Sequence, residues 1–343
     1  MRELLSLQLK LIPDMLELMQ RRLNILRNIY LQQPIGRRSL AAVLNTTERI
    51  LRGEVDFLKD QGLVYVESVG MFLTDSGLEI LNTLEDVIKE VYGLSDLESE
   101  LQRILSVKRV IVVPGKSEDP ELSKLEMGRS AGQYLMSIVR DNDIVAVTGG
   151  STIAAMAEML SGGHRFPNLM FVPARGGLGE NAELQANHIA ATCAKKVGAQ
   201  YRMLHISDHL GGSAYQTLQQ DPYMREILNQ IRSAQVVVHG IGRAVEMSVR
   251  RNASSELLKK LEKEKAVGEA FGYYFDRNGH IIHRMETMGL QLEDVREARH
   301  VIGIAGGAHK AEAIYALSRV GFLHVLVIDE SAAQEVLRLE KSF

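Results

Sequence analysis

The chain has 343 residues, 45% of them hydrophobic, with 7 prolines and a formal net charge of −3. Such a length exceeds one average domain, and the apolar content excludes a disordered polymer, so two packed domains are expected. The acidic balance excludes coating of nucleic acid through bulk charge, and the single cysteine, Cys193, excludes both an intrachain disulfide framework and a thiolate zinc site.

The start, MRELLSLQLKLIPDMLELMQRRL, mixes apolar and charged residues and lacks a continuous apolar stretch followed by a small-residue cleavage site. It predicts neither signal peptide nor membrane span, and with the lone cysteine it fits a reducing cytoplasm. Residues 1 to about 33 carry apolar side chains at helical spacing (Leu16, Met19, Leu23, Leu26, Ile29), with Asp14 after Pro13 as a helix start. Two shorter helical patterns follow, RRSLAAVL and TTERILRGEVDFLKDQG, with Ser39 as cap of the first and Thr46 or Thr47 as cap of the second. Next, LVYVESVGMFLTDSG places β-branched runs around Gly70, which predicts a hairpin and completes a winged helix-turn-helix. Helical texture returns from Leu78 to Leu105 with a break at Gly93 and Ser95, which predicts a connecting helix and hinge. The expected organisation is a DNA-binding domain over 1–90, a linker over 91–106 and a larger domain over 107–343.

Beyond Val107, apolar runs alternate with helical stretches: RVIVVPG, DIVAVTGG, NLMFVPARGG, YRMLHIS, QVVVHGIG, HVIGIAGG and LHVLVID. Continuous apolar strands ending in glycine or polar residues predict a Rossmann-like open parallel sheet covered on both faces by helices, an α/β domain. FGYYFDRNGHIIHRM departs from this, since Asn278-Gly279 between alternating runs predicts a hairpin at the edge or side of the sheet.

Two constellations carry chemistry. Between positions 37 and 52, Arg37, Arg38, Arg49 and Arg52 face the single anion Glu48, a local excess of positive charge in an acidic chain. Arginine reaches both phosphates and the guanine edge, and Ser39, Thr46 and Thr47 add hydroxyl donors. Thr47, Glu48, Arg49 and Arg52 are expected to face the groove of double-stranded DNA, with Ile50, Leu51, Val55 and Leu58 buried. Arg21, Arg22 and Arg27 on the long first helix suit either DNA backbone contacts or surface ion pairs.

The second constellation lies at strand ends, where open parallel sheets hold ligands. In VTGGSTIAAMAEML, Gly149 and Gly150 admit an anion to the backbone, while Ser151 and Thr152 supply hydroxyls and cap the helix. VPARGGLGENAELQAN puts Arg175 beside glycines and adds Glu180, Gln185 and Asn187, a set suited to a phosphate and sugar hydroxyls. AGGAHKAEAI sets Lys310 at a helix start behind Gly306 and Gly307. Each turn by itself is equally an ordinary strand-to-helix connection. No G-x-G-x-x-G after the first strand, P-loop, H-E-x-x-H or G-x-S-x-G motif occurs, so neither nucleotide nor metal is expected. Arg250, Arg251 and Glu269 pass on pattern alone as solvated charges.

PIGRRSLAAVLNTTERILRGEV, VAVTGGSTIAAMAEM, FVPARGGLGE, VVHGIG, EAFGYYF and AGGAHKAEAI, in this order over essentially the whole chain, resemble the SorC/DeoR-type repressor family of Gram-positive bacteria, within it the regulators of glycolytic genes. The resemblance implies a sensor domain similar to sugar-phosphate isomerases and deaminases, used for binding rather than turnover. It also implies an effector, fructose 1,6-bisphosphate, that weakens operator-bound oligomers (dimer or tetramer) and relieves repression, with no further cofactor. The ligand role is carried onto Gly149, Gly150, Ser151, Thr152, Arg175, Gly177, Gln185, Arg250, Glu269 and Lys310; Ser151 stands where the family pattern has Thr. The rival expectation, a sugar-phosphate isomerase or deaminase-like enzyme, shares fold and pocket, but a fused DNA-binding module and the want of an acid–base pair over the sugar carbons count against it.

Overall fold

The computed structural model describes residues 11–12, 14–91, 93–114, 120–160, 166–177, 181–207, 216–218 and 220–341. Residues 1–10 of the expected first helix, and Glu180 of the second glycine turn, lie outside the described residues. The chain forms two compact units, Met1–Gly93 and Leu94–Phe343.

In the first unit, helix α1 (Asp14–Gln32) is followed by α2 (Arg37–Val43) and α3 (Glu48–Asp60), then strands β1 (Val64–Glu67) and β2 (Gly70–Leu73) and helix α4 (Asp75–Val91). Three-to-four spacing puts Leu51, Val55 and Leu58 of α3 on one stripe, which packs with Leu23, Leu26, Ile29, Leu40 and Met71. Of the two threonines before α3, Thr47 is the cap: its Oγ1 accepts from the Ile50 N–H at 3.3 Å. Two expectations are corrected here. Gly36, not Ser39, caps α2, because the helix begins earlier and leaves Ser39 exposed inside the first turn. Ile50 is 52% exposed rather than buried, since one helical step turns it about 100° away from Leu51.

The expected hairpin is present, antiparallel from Val64↔Leu73 to Glu67↔Gly70, with Tyr65 and Phe72 stacked at 5.2 Å. Gly70 has φ 150°, and a Cβ there would stand 2.8 Å from the Ile35 nitrogen, so only glycine lets Ile35 bridge to Met71 and tie the hairpin to the helices.

The division at Gly93 changes the expected linker. Helix α5 (Leu94–Leu105) buries Leu94, Leu101 and Leu105 in the core of the second unit, and its Glu98 carboxylate accepts from the Val112 N–H at 2.8 Å. It is a structural helix of that unit, not a free hinge.

The second unit is built on a seven-stranded parallel sheet in the order β3-β13-β12-β7-β4-β5-β6. Its strands are β3 (Arg109–Val113), β4 (Ile144–Val147), β5 (Met170–Pro173), β6 (Gln200–Tyr201), β7 (Val236–Gly240), β12 (His300–Ala305) and β13 (Val325–Asp329). Alternation sends Val110, Val112 and Val237 to one face and Ile111, Val113, Val236 and Val238 to the other, and both faces are buried. On the first face lie α5, α9 (Pro222–Arg232), α13 (Ala311–Arg319) and α14 (Glu330–Glu340); on the second, α6 (Pro120–Ile138), α7 (Ser151–Met159) and α8 (Ala186–Val197), where Cys193 is fully buried. The run YRMLHIS pairs only at Gln200 and Tyr201, a short edge. Asn278-Gly279 does turn a hairpin, but in a separate antiparallel sheet, β11-β10-β9-β8, with β8 (Gly242–Arg243), β9 (Gly268–Ala270), β10 (Tyr273–Phe275) and β11 (Ile281–Arg284). Helices α10 (Ala244–Arg250), α11 (Ser255–Lys263) and α12 (Leu292–Glu297) complete the described elements.

The topology positions the site. From β4 the chain moves outward to β5 and β6, whereas from β7 it moves the opposite way to β12 and β13. The carboxyl ends of β4 and β7 therefore flank the switch point, where crossovers diverge and leave a crevice.

Candidate functional site

A cavity of about 170 Å³ occupies that crevice. Its walls include Gly149, Gly150, Ser151, Thr152, Arg175, Gln185, Arg250, Glu269 and Lys310, so side chains spread over 162 positions of sequence meet around one space. Gly177 is not on the wall; it pairs with Ser207 and abuts the Gln185 side chain, where a Cβ would stand 3.2 Å from Oε1.

The first glycine turn is fixed by backbone contacts. Gly150 donates to the Leu184 carbonyl at 2.9 Å, and a Cβ on Gly149 would come within 2.7 Å of that same oxygen. Gly150 has φ 121° and is itself the cap of α7, so Ser151 and Thr152 begin the helix instead of capping it. Their hydroxyls and the N-terminal N–H groups of α7 lie at the cavity, the usual setting for a phosphate. Beneath them, Thr148 Oγ1 accepts from Gly240 N–H at 3.2 Å and joins the ends of β4 and β7.

On the opposite wall the sequence pattern was misleading. Arg251 and Glu269 are buried, not solvated. One carboxylate oxygen, Glu269 Oε1, lies 2.8 Å from Arg251 Nη1 and 3.5 Å from Arg175 Nη1, and accepts from the Gly272 N–H at 2.7 Å. Burial pushes the Glu269 carboxyl upward, but the guanidiniums of Arg251 and Arg175 with the Gly272 N–H outweigh it and hold the group below its ordinary value. Arg250 reaches the cavity from the exposed end of α10, one helical turn after Glu246. Lys310 closes a 3₁₀ turn (Ala308–Lys310) before α13; burial draws its pKa down, while Glu246 counteracts. The lining thus sets four cations, Arg175, Arg250, Arg251 and Lys310, against two carboxylates, Glu246 and Glu269.

Ile241, Met247, Ile304 and Phe271 supply the apolar wall. Phe271 is 4% exposed and sits at φ 54° in the two-residue β9–β10 turn, where Asn is the common choice. Its ring lies 4.8 Å from that of His239, which is fully buried and whose Nδ1 lies 3.0 Å from the Gly240 carbonyl. Burial lowers the His239 pKa to about 4, so the ring is neutral.

In the first unit, Arg37, Arg38, Ser39, Thr47, Arg49 and Arg52 are exposed on α2, α3 and the turn between them, with Thr46 and Glu48 half-buried. Glu48 lies between two guanidiniums, 3.5 Å from Arg38 and 3.8 Å from Arg52. Arg21 and Arg22 pair with Glu54 at 3.6 and 2.9 Å, Arg22 also covers the Phe57 ring at 3.7 Å, and Arg27 is buried. Of the three, Arg22 and Arg27 are drawn into the unit, whereas Arg21 stays exposed beside Glu54.

Two family models match the chain: the CggR N-terminal DNA binding domain over residues 18–88, and a sugar-binding domain over residues 89–338. The chain is 47% identical over 340 residues to the central glycolytic genes regulator of Bacillus subtilis, covering 99% of this chain and 100% of that one. The chain belongs to the central glycolytic genes regulator family. The corresponding regulator of Priestia megaterium is 46% identical over 98% of this chain and 99% of its own length. Among solved structures, a SorC family transcriptional regulator from Enterococcus faecalis superposes with TM-score 0.66 at 36% identity, over 71% of this chain and 99% of that one. The full-length sorbitol operon regulator SorC from Klebsiella pneumoniae shares the fold, with TM-score 0.69 at 18% identity over 89% of this chain and 94% of that one.

As a member of this family the chain is a DNA-binding transcription regulator with a sugar-binding domain, not an enzyme. The boundary between the family models falls within five residues of the one between the compact units. Among the described residues no helix is long and apolar enough to cross a membrane. Sequence reasoning passed over Thr148, Glu246, Met247, Arg251 and Phe271 on the cavity wall. The signal for Glu246 and Arg250 was their four-residue spacing on a helix after the HGIG turn, which puts both on one face; Phe271 gave none.

Proposed function

We propose that this regulator represses glycolytic genes by binding operator DNA through its winged helix-turn-helix, and that fructose 1,6-bisphosphate entering the cavity relieves the repression. The observation that carries the effector is the charge of the cavity: four cations against two carboxylates at a helix N-terminus. Arg175 and Arg251 are buried with Glu269 between them, a positive excess that is costly out of water and that a phosphorylated sugar offsets, while the more open Lys310 and Arg250 meet its phosphates. Thr152, the glycine turn and Lys310 take one phosphate, Arg175 and Arg250 the other, and Gln185 accompanies the sugar hydroxyls. Paired operator half-sites call for paired modules, so the working form is a dimer or tetramer in the cytoplasm. Effector controls repression only through a difference in its affinity for the DNA-competent and released states.

The test is calorimetric titration with fructose 1,6-bisphosphate, fructose 6-phosphate and glucose 6-phosphate, with and without promoter DNA. Preferential binding of the bisphosphate together with weakened DNA affinity is expected. Equal binding of all three, or binding that leaves DNA affinity unchanged, refutes the assignment.

A further inference from the structure

Lys310 is the cavity-lining cation supplied by the β12–α13 connection, and that connection is shaped from outside the cavity. Gly307, at φ 90°, donates its N–H to both carboxylate oxygens of Asp329, at 3.0 and 2.9 Å. Asp329 ends β13 and is buried; it also caps α14 by accepting from the Ala332 N–H at 2.8 Å and from the Ser331 hydroxyl at 3.0 Å. A buried carboxylate is costly, and three donors on two neighbouring connections stabilise it as an ion. The approach leaves no slack: a Cβ on Gly306 would come within 2.8 Å of Asp329 Oδ2 and 2.5 Å of the Met127 side chain. Asp329 is absent from the cavity wall, so it acts on a ligand through the turn it holds and through its charge on Lys310.

We propose that Asp329 is a positioning residue for effector binding: it locks the Gly306-Gly307 turn from behind and thereby fixes Lys310 toward the phosphate. The inference rests on the reading of the cavity as a sugar-phosphate site. Its negative charge also favours the ammonium form of Lys310 against the burial that draws the Lys310 pKa down. The helix cap alone does not account for an aspartate here, because Ser or Asn caps α14 equally well; Oδ1 serves Ala332, Ser331 and Gly307 together, and only a carboxylate also turns an acceptor, Oδ2, to the Gly307 N–H, where the amide nitrogen of Asn sets donor against donor.

The test is a double-mutant cycle in the full-length protein, read by calorimetry with fructose 1,6-bisphosphate. Asp329→Asn keeps the α14 cap, and Asp329→Ser keeps the cap but is too short to reach Gly307. Each is expected to weaken effector binding about tenfold, the scale of a lost charge-assisted hydrogen bond. In an Asp329→Asn background, Lys310→Ala should cost less than about twofold further, while Gln185→Ala, assigned to the sugar hydroxyls and not to that phosphate, should keep its full cost. An unchanged affinity in either folded variant, or equal additivity with Lys310→Ala and Gln185→Ala, overturns the proposal. A wild-type protein that binds no sugar phosphate overturns the cavity assignment itself, a result separate from a wild type that binds and an Asp329 variant that binds as well.

Discussion

The two units repeat one motif in opposite surroundings. In the first, Glu48 sits between Arg38 and Arg52 on the exposed face of α2 and α3, at 3.5 and 3.8 Å; in the second, Glu269 sits between Arg251 and Arg175 under the cavity, at 2.8 and 3.5 Å. Water screens the outer triad, so its pairs hold weakly and, on the proposed function, its arginines exchange Glu48 for phosphate at small expense. The inner triad has no such freedom. Its two guanidiniums share one carboxylate oxygen where solvent does not compensate, so geometry is rigid and the leftover positive charge waits for an anion. On the proposed function, the same three residue types serve a fast, salt-sensitive contact outside and a selective, preorganised one inside.

Neutralising the shared carboxylate separates the two cases most sharply. Glu269→Gln leaves two buried guanidiniums without their anion, and a loss of about 3–5 kcal/mol in unfolding free energy is expected. Urea denaturation of the full chain measures it; a loss under about 1 kcal/mol would show that the triad is not as dry as its burial implies. The sign with pH follows from the depressed carboxyl: the stability it contributes is complete above the ordinary value of 4.5 and disappears as the pH falls through the lower folded value.

His239 tests the same interior from the basic side. Its pKa falls from 6.5 to about 4 on burial, so between these values the unfolded chain binds a proton that the folded chain refuses. His239 should therefore contribute about 2 kcal/mol to the fall in stability between pH 7.5 and pH 5, and the fall should shrink by that amount in His239→Leu while the part due to His283, His300 and His324, whose pKa values burial also lowers, remains. If the two proteins lose stability in parallel, His239 is not held neutral.

Much of this contrast was readable from residue order, and the unreadable part has one cause. Apolar runs ending in glycine marked the parallel sheet and three of the turns at its cavity because strand burial and backbone approach leave composition signals. Thr47, Leu51, Val55 and Leu58 fell where capping and periodicity put them. Glu269 and Arg251 did not, because a buried ion pair looks like two surface charges until the antiparallel sheet β8–β11 brings α10 against β9. Periodicity likewise assigned Ile50 to the core, when the stripe is only as wide as Leu51, Val55 and Leu58 fill. The helix at 94–105 read as a hinge because Gly93 and Ser95 mark a break, whereas two of the helices it packs against, α13 and α14, lie at the far end of the chain.

On the outer surface the expected effects are smaller and depend on salt. Arg49→Ala should weaken operator binding roughly tenfold and, if the residue contacts phosphate, lower the slope of log affinity against log salt by about one, with effector affinity unchanged. Wild-type DNA affinity and slope in this variant would remove α3 from the interface.

Glu48→Gln is the mildest change and isolates what the outer triad does. Surface pairs of this length contribute little, so stability should shift by less than about 0.5 kcal/mol, against several for Glu269→Gln. Its effect on DNA decides between two roles. If Glu48 only neutralises Arg38 and Arg52 in the free protein, its loss frees both for phosphate and raises affinity for every sequence about equally. If instead it accepts a hydrogen bond from a cytosine amino group, affinity falls for the operator and not for unrelated DNA. Binding measured on both DNAs at one salt concentration distinguishes them, and the half-exposed position of Glu48 between two arginines favours the first.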